Sequence, residues 1–325
     1  MTPLTAQLVR QVVWEPLAPG ARVEAGRAGA DRVRPEAGGV DELFGRLVRF
    51  VGSVRALATS PDPFPWGTLD RLIGEVTATL AKSDHLFWIA HRPGSPAGLE
   101  HLALHHARVA VLALRLGTTL GYEGRRLAEL GMAASLFDVG LWQLPETAAR
   151  QADPLSPREQ DLYRSHPRLG AALVRRWSPP SDVIMEAILQ HHEREQGQGY
   201  PQGLRGPAIH PDAKIIGLAD AYAALTSPTG PRPGRPPHDA IRDLMRVRQR
   251  AYDPVLIRAL VSETSLFPPG TLVRLSNGEI GRVIALNRTH PLRPRVELLA
   301  KANGVPRTVD LVETPFLYIT GAIGQ

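Results

Sequence analysis

A mainly α helical bundle, with a small N-terminal helical region and a small C-terminal β appendage, is the fold class this sequence predicts. Three observations predict it. Between residues 41 and 265, apolar side chains recur at helical spacing in successive segments, separated by Pro- and Gly-rich breaks. Beyond Pro268 the texture changes to short alternating runs around Asn277-Gly278, a hairpin signal. Histidines and aspartates sit at the ends or along single faces of the helical runs, where a bundle aims them inward.

The 325 residues suggest two domains, or one with appendages, and a hydrophobic fraction of 43% is ample for a core. No apolar run approaches a membrane-spanning length, and Met1 to Arg10 resembles neither a signal peptide nor a lipidation motif, so the expected location is cytoplasmic. The absence of cysteine excludes disulfides and thiolate metal sites. Any metal must then be held by His, Asp or Glu, a set that suits iron, manganese, zinc or magnesium. The net charge of +6 comes from arginine, whose planar fork suits phosphate-bearing ligands. A high-GC composition accounts for it equally well. No dense basic block resembles a nucleic-acid tail, so nucleic acid is not the expected partner.

Residues 1–40 read as a loosely ordered segment, with a short strand within Leu8 to Leu17 cut off by Pro16 and Pro19. Residues 41–96 read as a helical subdomain or dimerisation element. Asp41 caps a first helix carrying Leu43, Phe44, Leu47 and Val51, and a second runs from about Thr68 to Lys82. A long helix from about Ala97 to Gly121 places His101, His105 and Arg108 on one face. The next, Glu123 to Phe137, ends at Asp138, two residues before Gly140. Ser156-Pro157-Arg158-Glu159 is a capping-box start, and the helix it opens is expected to carry His166.

Two more helices, 168–177 and 181–192, lead to the adjacent pair His191-His192, whose imidazoles point about 100° apart on a helix. A Gly-rich loop follows, Gly197-Gln198-Gly199-Tyr200-Pro201-Gln202-Gly203. The nearly all-apolar helix Ala213 to Leu225 is interrupted by Asp220, a carboxylate costly to bury unless paired or bound to metal. Residues 227–237 are expected to form a mobile loop over the site, with helices near 238–249 and 254–264 beyond it. Strands are expected at 271–275, 281–286, 295–300 and 307–312, with a turn at Asn303-Gly304.

Collected, the candidate metal ligands are His105, Asp138, His166, His191, His192 and Asp220. Two cations about 4 Å apart, bridged by a carboxylate and hydroxide, hydrolyse phosphoesters well. Their order and spacing resemble the HD-GYP family, a branch of the HD metallophosphohydrolases that cleaves cyclic di-GMP. The matching pieces are His105-His106-Ala107-Arg108-Val109-Ala110, Ala134-Ser135-Leu136-Phe137-Asp138-Val139-Gly140-Leu141, Ser165-His166-Pro167-Arg168-Leu169-Gly170, the His191 to Leu204 segment, and Ala213-Lys214-Ile215-Ile216-Gly217-Leu218-Ala219-Asp220. The resemblance covers about residues 97–265, and the tail from Pro269 to Gly278 also resembles an extension found in the family.

The resemblance implies an HD-type helical bundle at 97–265 and a β-rich extension at 266–325. It implies a pair of divalent ions, iron or manganese ahead of zinc or magnesium, with Asp138 as the catalytic, bridging carboxylate. Tyr200, Pro201, Arg232 and Arg235 would bind the substrate, and His101 is a possible extra ligand. The implied function is metal-dependent hydrolysis of cyclic di-GMP toward pGpG and GMP.

The chain departs from the family pattern in ways that bear on activity. The first residue of the HD pair is Phe137, and the lysine expected three positions after the aspartate is Leu141. His101 replaces a glutamate, and Arg232-Pro233-Gly234-Arg235 lacks the family's tyrosine. Impaired or unusual turnover is therefore expected. The alternative is a catalytically inactive domain that serves as a cyclic di-GMP receptor or a protein-interaction module. A regulatory protein partner and a homodimer are further expectations.

Overall fold

Leu43, Leu47, Val51, Val54 and Ala58 follow one another at steps of four and three, and this stripe is the buried face of helix α1 (Ala37–Thr59). The computed structural model describes residues 37–91, 100–145, 155–227, 234–246, 251–265, 267–287, 289–299 and 307–323. The expectations for residues 1–36, including the short strand, and the Asn303-Gly304 turn lie outside the described residues. Helix α2 (Trp66–Lys82) buries Leu69, Leu72, Ile73, Val76 and Leu80. A short α3 (His85–Ala90) buries Leu86, Phe87, Ile89 and Ala90.

Helix α4 (Glu100–Thr119) is the centre of the bundle. From His106 to Gly117 every side is buried, so two-sided packing replaces the one-sided stripe of a surface helix. Two arginines on this helix are satisfied internally. Arg108 donates from Nε to the Ala90 carbonyl at 2.8 Å and from Nη1 to Ser227 Oγ at 2.9 Å. Arg115 donates from Nε to Glu263 at 2.8 Å and from Nη1 to the Leu80 carbonyl at 2.7 Å, and it also pairs with Asp84.

Around α4 pack α5 (Gly124–Leu136), a short 3-10 turn (Val139–Gln143), α6 (Pro157–Arg164), α7 (His166–Arg176), α8 (Asp182–Gln190), α9 (Pro211–Thr226), α10 (Pro237–Arg246) and α11 (Pro254–Thr264). The Ser156–Glu159 capping box forms as expected. The helix it opens stops at Arg164, however, and His166 is the first residue of the next one. Pro167 explains the break, because it lacks the N–H that would continue the preceding helix, and it suits the first turn of the next one.

The N-terminal helices and the bundle share one continuous apolar core rather than two. Phe64 stacks on Trp177 with ring centroids 4.7 Å apart, and Trp66 donates to the Trp177 carbonyl at 2.7 Å.

The tail is a five-stranded antiparallel sheet, β1 (Leu272–Leu275), β2 (Ile280–Ala285), β3 (Arg295–Leu298), β4 (Arg307–Asp310) and β5 (Ile319–Ala322), in the order β4-β3-β2-β1-β5. Gly278 makes the β1–β2 turn at φ 87°. The sheet has its own core of Val273, Leu275, Val283, Val296, Leu298 and Leu311. Strand β5 was not expected from sequence. Among the described residues, no helix is long and apolar enough to cross a membrane.

Candidate metal centre

Four of the predicted ligands meet. One ligand atom each from Asp138, His166, His191 and His192 lies within 4.8 Å of all the others, and all four residues are buried. Each comes from a helix boundary. Asp138 follows the last turn of α5, His166 opens α7, and His191 and His192 leave the end of α8. At such ends the chain turns inward without disrupting a helix interior.

Two glycines permit this approach. A Cβ on Gly140 would lie 2.1 Å from the His166 carbonyl oxygen, and one on Gly217 would lie 2.2 Å from that of His191. At both positions another backbone occupies the space where any side chain would begin.

The hydrogen bonds fix the chemistry. His166 donates its Nδ1–H to the Tyr163 carbonyl at 2.6 Å, and His191 donates its Nδ1–H to the Ile188 carbonyl at 2.7 Å. In a neutral imidazole this leaves both Nε2 atoms as lone-pair acceptors. These two atoms lie 3.3 Å apart, and Asp138 Oδ1 sits 2.9 Å from one and 3.2 Å from the other. Despite these short distances, Asp138 Oδ1 is buried without a hydrogen-bond donor, and His192 Nε2 is buried without a partner. Acceptors converging in a dry site are stable only around a positive charge.

Burial alone would raise the Asp138 carboxyl pKa. The imidazoles of His166 and His191 outweigh that and hold it well below the ordinary value, so the group is an anion. Burial, then the neighbouring His191 and His166, push His192 well below the ordinary imidazole value, so it stays neutral. A carboxylate with three imidazoles is the donor set of a divalent transition metal, and the residues present fit such an ion.

The two remaining predicted ligands are held apart from this group. His105 Nε2 and Asp220 Oδ1 pair with each other at 2.9 Å, their side chains 13% and 14% exposed. Asp220 is therefore paired rather than isolated in the core. Phe137, fully buried, stands against both sets. Its ring centroid is 5.9 Å from that of His105 and meets His191 edge-on at 5.1 Å. Leu141 is likewise buried. His101 is half-buried on α4, and burial, then His105 and Arg108, lower its pKa.

Tyr200 stacks on His192 with centroids 4.6 Å apart and forms the lip of the site. Burial raises its hydroxyl pKa, helped by the charges of Asp138 and Asp220. Pro201 follows it, and its carbonyl accepts from Arg168 at 3.0 Å. Arg235 pairs with Asp243 on α10, while Arg232 lies outside the described residues, as does most of the expected loop at 227–237.

Sequence reasoning missed what Glu193 does. The carboxylate accepts from the backbone N–H groups of Gln202, Gly203 and Leu204 at 2.6, 3.1 and 2.9 Å. It ties the Tyr200 loop back onto the histidine pair. Arg164, two residues before His166, was also missed; its guanidinium lies 5.8 Å over the Tyr200 ring. No periodicity flagged either residue, because both act across a turn.

A helical bundle that gathers His and Asp at helix ends around a cation site is the architecture of a metallohydrolase domain. Residues 97–256 match the HD domain model, and residues 272–325 match the model of a KOW domain associated with HD domains. A cyclic di-GMP phosphodiesterase of Pseudomonas aeruginosa is 31% identical over 215 residues, covering 66% of this chain and 52% of that protein. The cyclic di-GMP phosphodiesterase response regulator of Xanthomonas campestris is 31% identical over 156 residues, 47% of this chain and 41% of that one. The chain thus spans about half the length of these curated relatives. An HDG"Y"P protein of Bdellovibrio bacteriovorus shares the fold with a TM-score of 0.60 at 20% identity, covering 71% of this chain and 73% of that one. Residues 97–256 thus carry the HD domain match, and the fold is the one seen in the Bdellovibrio HDG"Y"P protein.

Proposed function

We propose that this protein is a metal-dependent phosphodiesterase that opens cyclic di-GMP toward pGpG and GMP, with turnover reduced by its altered site. The observation that carries this reading is the convergence of Asp138 Oδ1 with the Nε2 atoms of His166 and His191, whose Nδ1 atoms are engaged by the Tyr163 and Ile188 carbonyls. A divalent ion bound there would supply an acidified water and neutralise charge on the phosphodiester. The donor set admits iron, manganese, zinc or magnesium, and the family resemblance puts iron or manganese first.

The chain's own residues do the rest. The Tyr163 and Ile188 carbonyls lock the rings of His166 and His191 so that their lone pairs face inward. Tyr200 presents an aromatic face beside the cluster, where a nucleobase can stack. Arg164 places positive charge near it, suited to a phosphate. Glu193 holds this lip in position. Pro201 shapes the lip, while Arg235 would have to leave Asp243 to reach a ligand.

A second reading, a cyclic di-GMP receptor without turnover, is favoured by the apolar Phe137 and Leu141. One experiment separates the two. Metal-loaded protein is incubated with cyclic di-GMP, and pGpG and GMP are followed by chromatography. The enzyme reading expects slow product formation that a chelator abolishes. Micromolar binding with no linear product would leave the receptor.

A further inference from the structure

We propose that the centre is mononuclear, with one divalent ion held by Asp138, His166, His191 and His192, and that His105 and Asp220 form a closed pair rather than a second metal half-site. The inference rests on the metal-centre reading above and departs from the paired ions that the family resemblance implies.

The six candidate ligands divide by whether they are satisfied. Asp138 Oδ1 and His192 Nε2 are buried orphans, and the Nε2 atoms of His166 and His191 converge on Asp138 Oδ1 at 2.9 and 3.2 Å. These atoms need a cation. His105 Nε2 and Asp220 Oδ1 satisfy each other at 2.9 Å, and neither needs one.

Ligand count points the same way. Metal sites of this donor type use at least three protein ligands. Among the described residues, the only group of three or more His, Asp or Glu with ligand atoms within 4.8 Å of one another is the four-residue cluster. His105 and Asp220 contribute two atoms and gather no third.

Phe137 explains why. It follows α5 directly and precedes Asp138, so its position is fixed by the same turn that aims the aspartate inward. It offers no donor atom. Its fully buried ring lies against His105 at 5.9 Å, His106 at 4.9 Å and His191 at 5.1 Å. A second dication beside that hydrocarbon wall would give up hydration without gaining a ligand.

The test is metal stoichiometry, read without turnover. Chelator-stripped protein is reconstituted with Mn(II), freed of excess ion and analysed for metal per folded chain. The expected result is one ion in the parent protein, one in His105→Ala, and none in His166→Ala. Phe137→His should raise the count toward two. If that variant does not fold, His105→Ala decides the matter, because its site lies on the satisfied side. Two ions in the parent protein, no ion in the parent protein, or loss of an ion in His105→Ala would each overturn the proposal. One ion without hydrolysis would sink the phosphodiesterase reading alone, and hydrolysis with two ions would sink the mononuclear proposal alone.

Discussion

Gly140 presses against His166 so closely that a methyl group on the glycine would sit 2.1 Å from the histidine's carbonyl oxygen. The contact clamps the segment after Asp138 against the start of α7 and so sets the spacing between two ligands. Gly140→Ala must push these backbones apart. We expect a loss of about 3 kcal/mol in stability, the upper range for overpacking, and weaker metal binding. Urea unfolding and a Mn(II) titration check both effects together. An unchanged midpoint would show that the clamp has slack.

Glu193 offers a test of the lip that does not touch the metal ligands. Glu193→Ala leaves the N–H groups of Gln202, Gly203 and Leu204 without their acceptor. Hydrogen bonds to a charged group are worth about 1.5–3 kcal/mol each, so the loop should loosen while the bundle stays folded. Hydrogen exchange should rise within 199–204, with cyclic di-GMP affinity falling more than metal content. Equal losses of both would assign Glu193 to the centre itself.

Arg115 holds three elements at once, through Glu263 on α11, the Leu80 carbonyl on α2, and Asp84. The Glu263 carboxylate is buried and also accepts from Thr119 at 2.7 Å. Arg115→Met strands that charge, and a cost of about 3–5 kcal/mol is expected. Arg115→Met with Glu263→Gln should recover part of it. A double variant as unstable as the sum of the singles would contradict the coupling.

Stability should fall with acid in a defined window. Burial lowers His106 to about 4 from an ordinary 6.5, with the Asp138 charge partly opposing. Between these values the unfolded chain binds a proton that the folded chain refuses, so stability falls as pH drops from 6.5 toward 4. At pH 5 the loss from His106 is about 2 kcal/mol relative to pH 7. His91, also lowered to about 4 by burial, acts in the same direction. Asp138 acts elsewhere. Its depressed pKa gives stability that is present above the unfolded value and is lost only as pH falls through the folded one. Urea midpoints of chelator-stripped protein at pH 7 and 5 give the difference, and His106→Gln should reduce it.

Much of the bundle was legible because its signals are local. The stripe on α1, the Ser156 capping box and the Asn277-Gly278 turn each involve residues a few positions apart. The four converging residues were legible as candidate ligands because His and Asp at helix ends are conspicuous in an otherwise apolar bundle. What escaped depends on distant partners. Strand β5 has no alternation of its own and exists through its pairing with β1, 44 to 49 residues earlier. Glu193 looked like a helix-end residue because its partners lie across the loop. The split of six candidate ligands into four and two depends on where the Phe137 ring lies, and spacing along the chain does not encode that.

The central claim, that Asp138 and the three histidines form a cation site, is tested most directly by calorimetric titration of Mn(II) into stripped protein and into His191→Ala. The account predicts saturable binding in the parent protein and a loss of about 100-fold or more in the variant, whose folding is checked by circular dichroism. Equal binding by a folded His191→Ala, or no binding by the parent protein, would contradict it.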